Sequence, residues 1–401
     1  MSAMCRPLNR LPRRLAALLA AGALALSGCA ESEDDGGGGG DDSGPIRIGA
    51  VLDITGAGAS LGVPERQTLQ LLTRQLNEDG GIDGRRVEMI IEDNQSAEDA
   101  AAQAATQLVT EDQVDILLGA SRTGPSLAMR PIAESNEVPM ISLAANQAIV
   151  DGSRWVYKTA QNDSAVIENI VDLAAQRGWQ TLSLIRDSSA FGEGVQEALT
   201  ELGQPQGIEV VAVEKFAPDA SDFTAQMVNV REAGADATVI WGIPPAVALA
   251  QKAYTQLDLG APVIQSHGIG NQVFLDTAGA SADGLLAPLG RLLVADQLPA
   301  ADEQKKVIEQ FIADYEQEYG EPPSTFAGHA YDAFHIAVQA MEEVGTDPDA
   351  LRDYIENLQG FVGISGVFDF SPDNHSGLDK SALAIVTVQN GDWKLVDNNR
   401  D

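Results

Sequence analysis

A hydroxyl, a glycine and a proline follow one another at Thr123, Gly124 and Pro125, shortly after an apolar run at 114–118. Such a run reads as a strand, and a threonine behind it reads as the N-cap of the next helix. The glycine lets a ligand approach backbone N–H groups, and the helix dipole favours a carboxylate there. Thr123 either caps its helix alone or caps it while holding an anion, and the two roles are compatible. His267, in Gln265-Ser266-His267-Gly268, puts an imidazole in a loop, where it serves structure or donates to a ligand carboxylate, hydroxyl or carbonyl. Trp241 closes another apolar run and Ile243 follows Gly242, so one of the pair lines a cleft while the other packs inward. Phe326 has the same two options.

Constellations for catalysis are missing. There is no G-x-S-x-G elbow and no G-x-x-x-x-G-K-[ST] phosphate loop, and the glycines at 56–62 have the wrong spacing for a dinucleotide fingerprint. The four histidines are scattered, and both cysteines, Cys5 and Cys29, lie near the start, so the body offers no thiol nucleophile and no Cys-zinc site. The expectation is a binding protein, not an enzyme, with no metal and no cofactor. With 59 acidic against 25 basic residues, the formal charge of −34 repels phosphate backbones, which excludes nucleic acid as a partner.

The elements that position these side chains repeat one unit from Ile46 onward. A short β-branched run is followed by a turn and then by a helix-period stretch, the pattern of a parallel sheet with crossover helices. Strands are expected at Ile46–Leu52, 87–92, 114–118 and 140–143, with helices at 64–78 and 97–110 and another ending near Asn136. After Lys158 the alternation restarts, with strands at 181–185, 210–213, 238–241 and 263–264 and helices between them. The stretch 303–358 reads as almost wholly helical, with a break at 345–348, and strands at 366–370 and 383–388 close the chain. The fold class is therefore α/β, with two consecutive sheets; 401 residues, 44% of them hydrophobic, suffice for two cores.

Arg6, Arg10, Arg13 and Arg14 precede an apolar run at 15–26, the order of an export signal, and the run is too short to anchor in a bilayer. Residues 1–28 are read as a lipoprotein signal peptide and 29–44 as a flexible acidic, glycine-rich tether, since five glycines among carboxylates build no core. Leu26-Ser27-Gly28-Cys29 resembles a bacterial lipobox, which makes Cys29 the lipidation site and places the protein, lipid-anchored, on the extracytoplasmic face of the membrane.

Several segments, taken in order, resemble the type I periplasmic binding proteins of branched-chain-type ABC transporters. They include 46–49 through Thr55-Gly56, Leu76-Asn77-Glu78-Asp79-Gly80-Gly81-Ile82-Asp83-Gly84, 131–134 with 138–142, Phe191-Gly192-Glu193-Gly194 and Asp222-Phe223-Thr224. The resemblance implies two Rossmann-like lobes joined by a three-crossing hinge: 45–159 plus 289–384 in one lobe, 160–288 plus 385–401 in the other. It also implies a monomeric solute-binding lipoprotein that delivers a small molecule to ABC permease subunits. Its implied ligand-binding residues are Thr55, Ser60, Leu61, Thr123, Gly124, Ala144, Asn146, Phe191, Ile243, His267 and Phe326. Asn146 stands where the family presents a hydroxyl, with a simple turn residue as the alternative; Phe191 matches the ring that covers the ligand, or is a helix-start staple. His267 replaces the acidic partner of a ligand ammonium. Together with 265–268, 291–299 and 324–333, which resemble the aromatic-acid branch, it makes a small aromatic carboxylate the first expectation. A branched-chain amino acid or amide, or a ligand-sensing receptor of the same fold, is the alternative.

Overall fold

The computed structural model describes residues 44–396; the residues read as signal peptide, Cys29, those read as tether up to residue 43 and residues 397–401 lie outside that range. The first sheet is wholly parallel and contains β1 (Ile46–Leu52), β2 (Val87–Asp93), β3 (Ile116–Gly119), β4 (Met140–Ser142) and β5 (Val156–Lys158), in the order β2-β1-β3-β4-β5. Its crossover helices are α1 (Ala59–Glu78), α2 (Glu98–Thr110) and α3 (Thr123–Asn136). Apart from the half-buried Arg47 near the start of β1, β1 and β3 are buried runs of Ile, Leu, Val, Ala and Gly, as strands between two helix layers are.

The chain then enters α4 (Asp163–Arg177) and repeats the pattern with β6 (Thr181–Asp187), α5 (Val195–Gly203), β7 (Glu209–Phe216), α6 (Thr224–Ala233), β8 (Ala237–Trp241), α7 (Ala246–Gln256), β9 (Val263–Gln265), α8 (Gln272–Ala278) and β10 (Leu286–Gly290). It returns to the first lobe for α9 (Lys305–Tyr319), α10 (Thr325–Val344), α11 (Pro348–Glu356) and a small hairpin of β11 (Gln359–Val362) with β12 (Val367–Asp369). It ends with β13 (Leu383–Gln389) and β14 (Asp392–Leu395), which complete a seven-stranded sheet in the order β14-β13-β10-β9-β8-β6-β7. Only β10–β13 and β13–β14 are antiparallel in that sheet. The chain thus passes between the sheets three times, after Lys158, after Gly290 and before Leu383.

One core lies between the first sheet and the pair α1–α10, where Leu69 and Leu72 meet Phe334, Ile336 and Ala337. In the second lobe, separate cores cover the two faces of the seven-stranded sheet. The first crossing is tied to the late helices: Thr159 Oγ1 donates to the His329 carbonyl at 2.8 Å and Gln161 Nε2 to the Ser365 carbonyl at 2.8 Å.

Several elements depart from the sequence pattern. The helix expected to open at Pro64 starts at Ala59, because Leu61 and Gly62 already donate to the Gly58 carbonyl and Pro64, lacking an N–H, sits inside the helix. The strand expected at 366–370 runs Val367–Asp369 and pairs with an unforeseen β11. β10 carries Pro288, which argues against an interior strand, yet β9 reaches β10 only through Leu286 opposite Ile264, so the proline lies past that ladder.

Candidate functional site

Each lobe's parallel strands reverse their spatial order once, between β1 and β3 in the first lobe and between β6 and β8 in the second. Ligands of open α/β sheets sit beyond the carboxyl ends of strands at such a reversal. A cavity of about 240 Å³ lies between the two reversals and is lined from both lobes. The first lobe supplies Ser121, Arg122, Thr123 and Gly124 after β3, Leu143, Ala144 and Ala145 after β4, Leu61 from α1, and Phe326 and His329 from α10. The second lobe supplies Asp187 at the end of β6 and Ser188 to Phe191 after it, Ile243 after β8, and His267 with Gly268 after β9.

Of the residues expected from sequence, Leu61, Thr123, Gly124, Ala144, Phe191, Ile243, His267 and Phe326 line this cavity; Thr55, Ser60 and Asn146 do not. Thr55 turns away because Asp93 gathers its loop: that carboxylate accepts from the backbone N–H of Ile54 and Thr55 and from Thr55 Oγ1 at 2.7 Å. Ser60 Oγ instead faces the Pro244 carbonyl at 3.4 Å, across to the other lobe. Asn146 caps a short turn through Ala148 N and reaches the Ala190 carbonyl of the other lobe at 3.4 Å. Ser60 and Asn146 are therefore contacts between the lobes.

Thr123 is the first residue of α3 and not its cap; Arg122, in extended conformation, holds the cap position with no side-chain cap bond. The backbone N–H groups of Thr123 and Gly124 are thus first-turn donors at a helix end that lines the cavity, suited to an anion. A Cβ at Gly268 would sit 2.4 Å from the Gly242 carbonyl, so only glycine allows these two loops to meet on the opposite wall.

That wall combines a carboxylate with aromatic surface. Asp187 is buried; its Oδ1 accepts from Ser189 N at 3.0 Å and Ser189 Oγ at 2.6 Å, while burial pushes its pKa up. Phe191, Trp241 and His267 form a ring cluster with centroids 5.4 to 5.6 Å apart. Trp241 packs inward and its Nε1 donates to the Phe191 carbonyl at 3.1 Å, which leaves Ile243 as the member of that pair facing the cavity. Leu61, Ile243 and Phe326 make one apolar cluster with Phe191 against it, drawn from both lobes.

His267 is neutral in this setting. Burial, with His329 and Lys158 nearby, pulls its pKa down to about 3. Among the described residues its Nδ1 has no partner, and its Nε2 lies 3.9 Å from Asp163 Oδ1. Behind it Lys158, the last residue of β5, donates to the Ala145 and Ala160 carbonyls at 2.8 and 3.0 Å. Burial disfavours the charge on Lys158 and on Asp163, and their mutual attraction opposes that cost on both.

Sequence reading missed the polar lining groups Ser96, Glu98, Arg122, Ser188, Ser189 and His329, and with them Ser121 and Asp187. For the last two the only signal available was their place just beyond β3 and at the end of β6, where any polar residue deserves suspicion. Among the described residues no group of three or more His, Cys, Asp or Glu side chains could hold a metal, and no helix is long and apolar enough to cross a membrane.

Residues 45–392 match the family model described as periplasmic binding protein. The leucine-, isoleucine-, valine-, threonine- and alanine-binding protein of Pseudomonas aeruginosa is 25% identical over 349 residues, covering 86% of this chain and 87% of the relative. Among solved structures, an extracellular ligand-binding receptor from Rhodopseudomonas palustris HaA2 superposes with a TM-score of 0.83 at 27% identity, over 88% of this chain and 99% of that one. The branched-chain amino acid transporter substrate binding protein of Streptococcus pneumoniae, in complex with isoleucine, gives 0.78 at 25% identity, with the same coverage.

Proposed function

Because the chain belongs to the periplasmic binding protein family, we propose that it is the solute-binding component of an ABC importer, and that its cavity takes a small apolar amino acid of the branched-chain class. The observation that carries this reading is the opposition of two kinds of charge partner across one apolar space. On the first lobe, Thr123, Ser121 and the first-turn N–H groups of α3 suit a carboxylate. On the second, Asp187 suits an ammonium and stands in for the acidic residue that His267 replaces. Leu61, Ile243, Phe326 and Phe191 between them suit a branched aliphatic side chain. The relative that binds leucine, isoleucine, valine, threonine and alanine supports the same class. Closure of the lobes around the ligand excludes water and strengthens both polar contacts. Release to permease subunits follows, with Cys29 as the lipid attachment that keeps a monomeric protein at the outer face of the membrane.

A second reading, a small aromatic carboxylate, is favoured by one feature. His267 is a neutral donor set among Phe191 and Trp241, a surface that suits a ring and needs no ammonium. A thermal-shift series with leucine, isoleucine, valine, benzoate and cinnamate separates the two. A ligand at 100 times its Kd stabilises the fold by about 2.7 kcal/mol. Leucine or isoleucine is expected to give that shift; a shift with benzoate or cinnamate alone transfers the assignment to aromatic acids.

A further inference from the structure

Glu65 is a carboxyl group with no solvent and too few partners. It projects from α1 with no exposed surface; its Oε2 is hydrogen-bonded to Ser121 Oγ, and its Oε1 has no partner among the described residues. No cation is paired with it among the described residues: Arg122 is paired with Asp53, and Asp53 is the one charge that acts on Glu65, raising its proton affinity. Of the titratable side chains of α10, which packs along α1, His329 is committed to Ser365 Oγ, Asp332 to the Ile364 and Ser365 N–H groups, and His335 to the Tyr331 carbonyl. On α9, Tyr315 donates to Gln67. An ionised carboxylate left with one hydrogen bond and no cation in an apolar interior is costly, whereas a neutral acid leaves only a carbonyl oxygen unmet.

The consequence falls on Ser121, which lines the cavity. Its oxygen already accepts from the Asp53 backbone N–H at 3.0 Å. A hydroxyl has one proton to give and two lone pairs. If Glu65 is ionised, Ser121 must spend its proton on that carboxylate. If Glu65 is a neutral acid, its own O–H donates to Ser121, both lone pairs are used, and the Ser121 proton is free to turn into the cavity.

We propose that Glu65 is a positioning residue that retains its proton in the folded protein, so that Ser121 presents its hydroxyl hydrogen to the carboxylate of a bound ligand. The strong upward push that burial gives to the Glu65 carboxyl agrees with this. The inference rests on the reading of the cavity as a site for a carboxylate-bearing solute.

Infrared spectroscopy of the full chain carrying 13C in the glutamate carboxyls tests the proton directly, because the label separates Glu65 from the buried aspartates. A protonated-acid carbonyl band that shifts with the label is expected in wild type at neutral pH and is lost in E65Q; no such band overturns the proposal, and the labelled wild type decides this even if E65Q fails to fold. Binding of L-leucine and of benzoate, measured in parallel by calorimetry, tests the consequence. E65Q, whose amide can still donate to Ser121, is expected to bind like wild type, and S121A to bind about tenfold more weakly. As pH is raised, wild-type affinity should hold where the band persists and fall where it is lost, while E65Q stays level. Loss of the band with parallel affinity profiles in the two proteins overturns it. If neither probe binds, the ligand assignment fails, and the band alone still decides whether Glu65 keeps its proton.

Discussion

Asp187 and His267 divide the ligand question between them. Changing Asp187 to Asn keeps an acceptor for the Ser189 N–H and hydroxyl but removes the charge that an ammonium needs. D187N is expected to lose about 1.5–3 kcal/mol of leucine affinity, the range for a hydrogen bond to a charged group, with no comparable loss for benzoate; calorimetry with both ligands reads the difference. His267 gives a prediction in pH. Its folded pKa of about 3 lies below the ordinary value near 6.5, so the unfolded chain takes up the proton first on acidification. The stability that neutral His267 contributes is complete above about pH 6.5 and is lost as pH falls toward 3. H267Q should therefore lose less stability than wild type between neutral pH and about pH 5, by roughly 2 kcal/mol in urea denaturation.

At the scale of elements, α10 holds the turn between β11 and β12 through one side chain. Asp332 is buried and accepts from Ile364 N at 2.6 Å and Ser365 N at 2.8 Å, one oxygen for each. D332N leaves one acceptor for two N–H groups and sets an amide against the other, so a loss of about 1–3 kcal/mol is expected in denaturant unfolding. This contact also marks how far sequence carries the fold. The β-branched runs of the parallel strands announce themselves, because burial on both faces leaves room only for apolar residues. β10 does not, since Pro288 contradicts the strand until the length of β9 is known, and β11 hides because it is four residues long and follows directly on the helical stretch that ends at 358. The cavity divides the same way. Thr123, Gly124, His267 and Ile243 follow recognisable strands, and Asp187 ends one, whereas Ser121 and Glu65 gain their roles from each other across 56 positions.

For the whole molecule, Ser60 against Pro244 and Asn146 against Ala190 tie the lobes at the cleft. A protein whose lobes separate when empty should show a smaller radius of gyration in small-angle scattering once leucine is added, and an unchanged radius would mean that these ties already hold it shut. Cys29, outside the described residues, is tested by fractionation: C29S should move the protein from membrane to soluble fractions.

β13 and β14 reach the second sheet only after the chain has built the late helices of the first lobe. During synthesis, β6 to β10 are therefore complete while β10 still lacks its antiparallel neighbour, and a nascent sheet with a bare margin invites pairing with another chain. Pro288 lies in β10 opposite Ile385 in the finished sheet, but Ile385 gives its carbonyl to Val396 N on the β14 side, so the pair exchanges no hydrogen bond and the proline nitrogen faces away from that margin. The margin of β10 thus keeps its donors, at Ala287 and Leu289, exposed until β13 arrives opposite them.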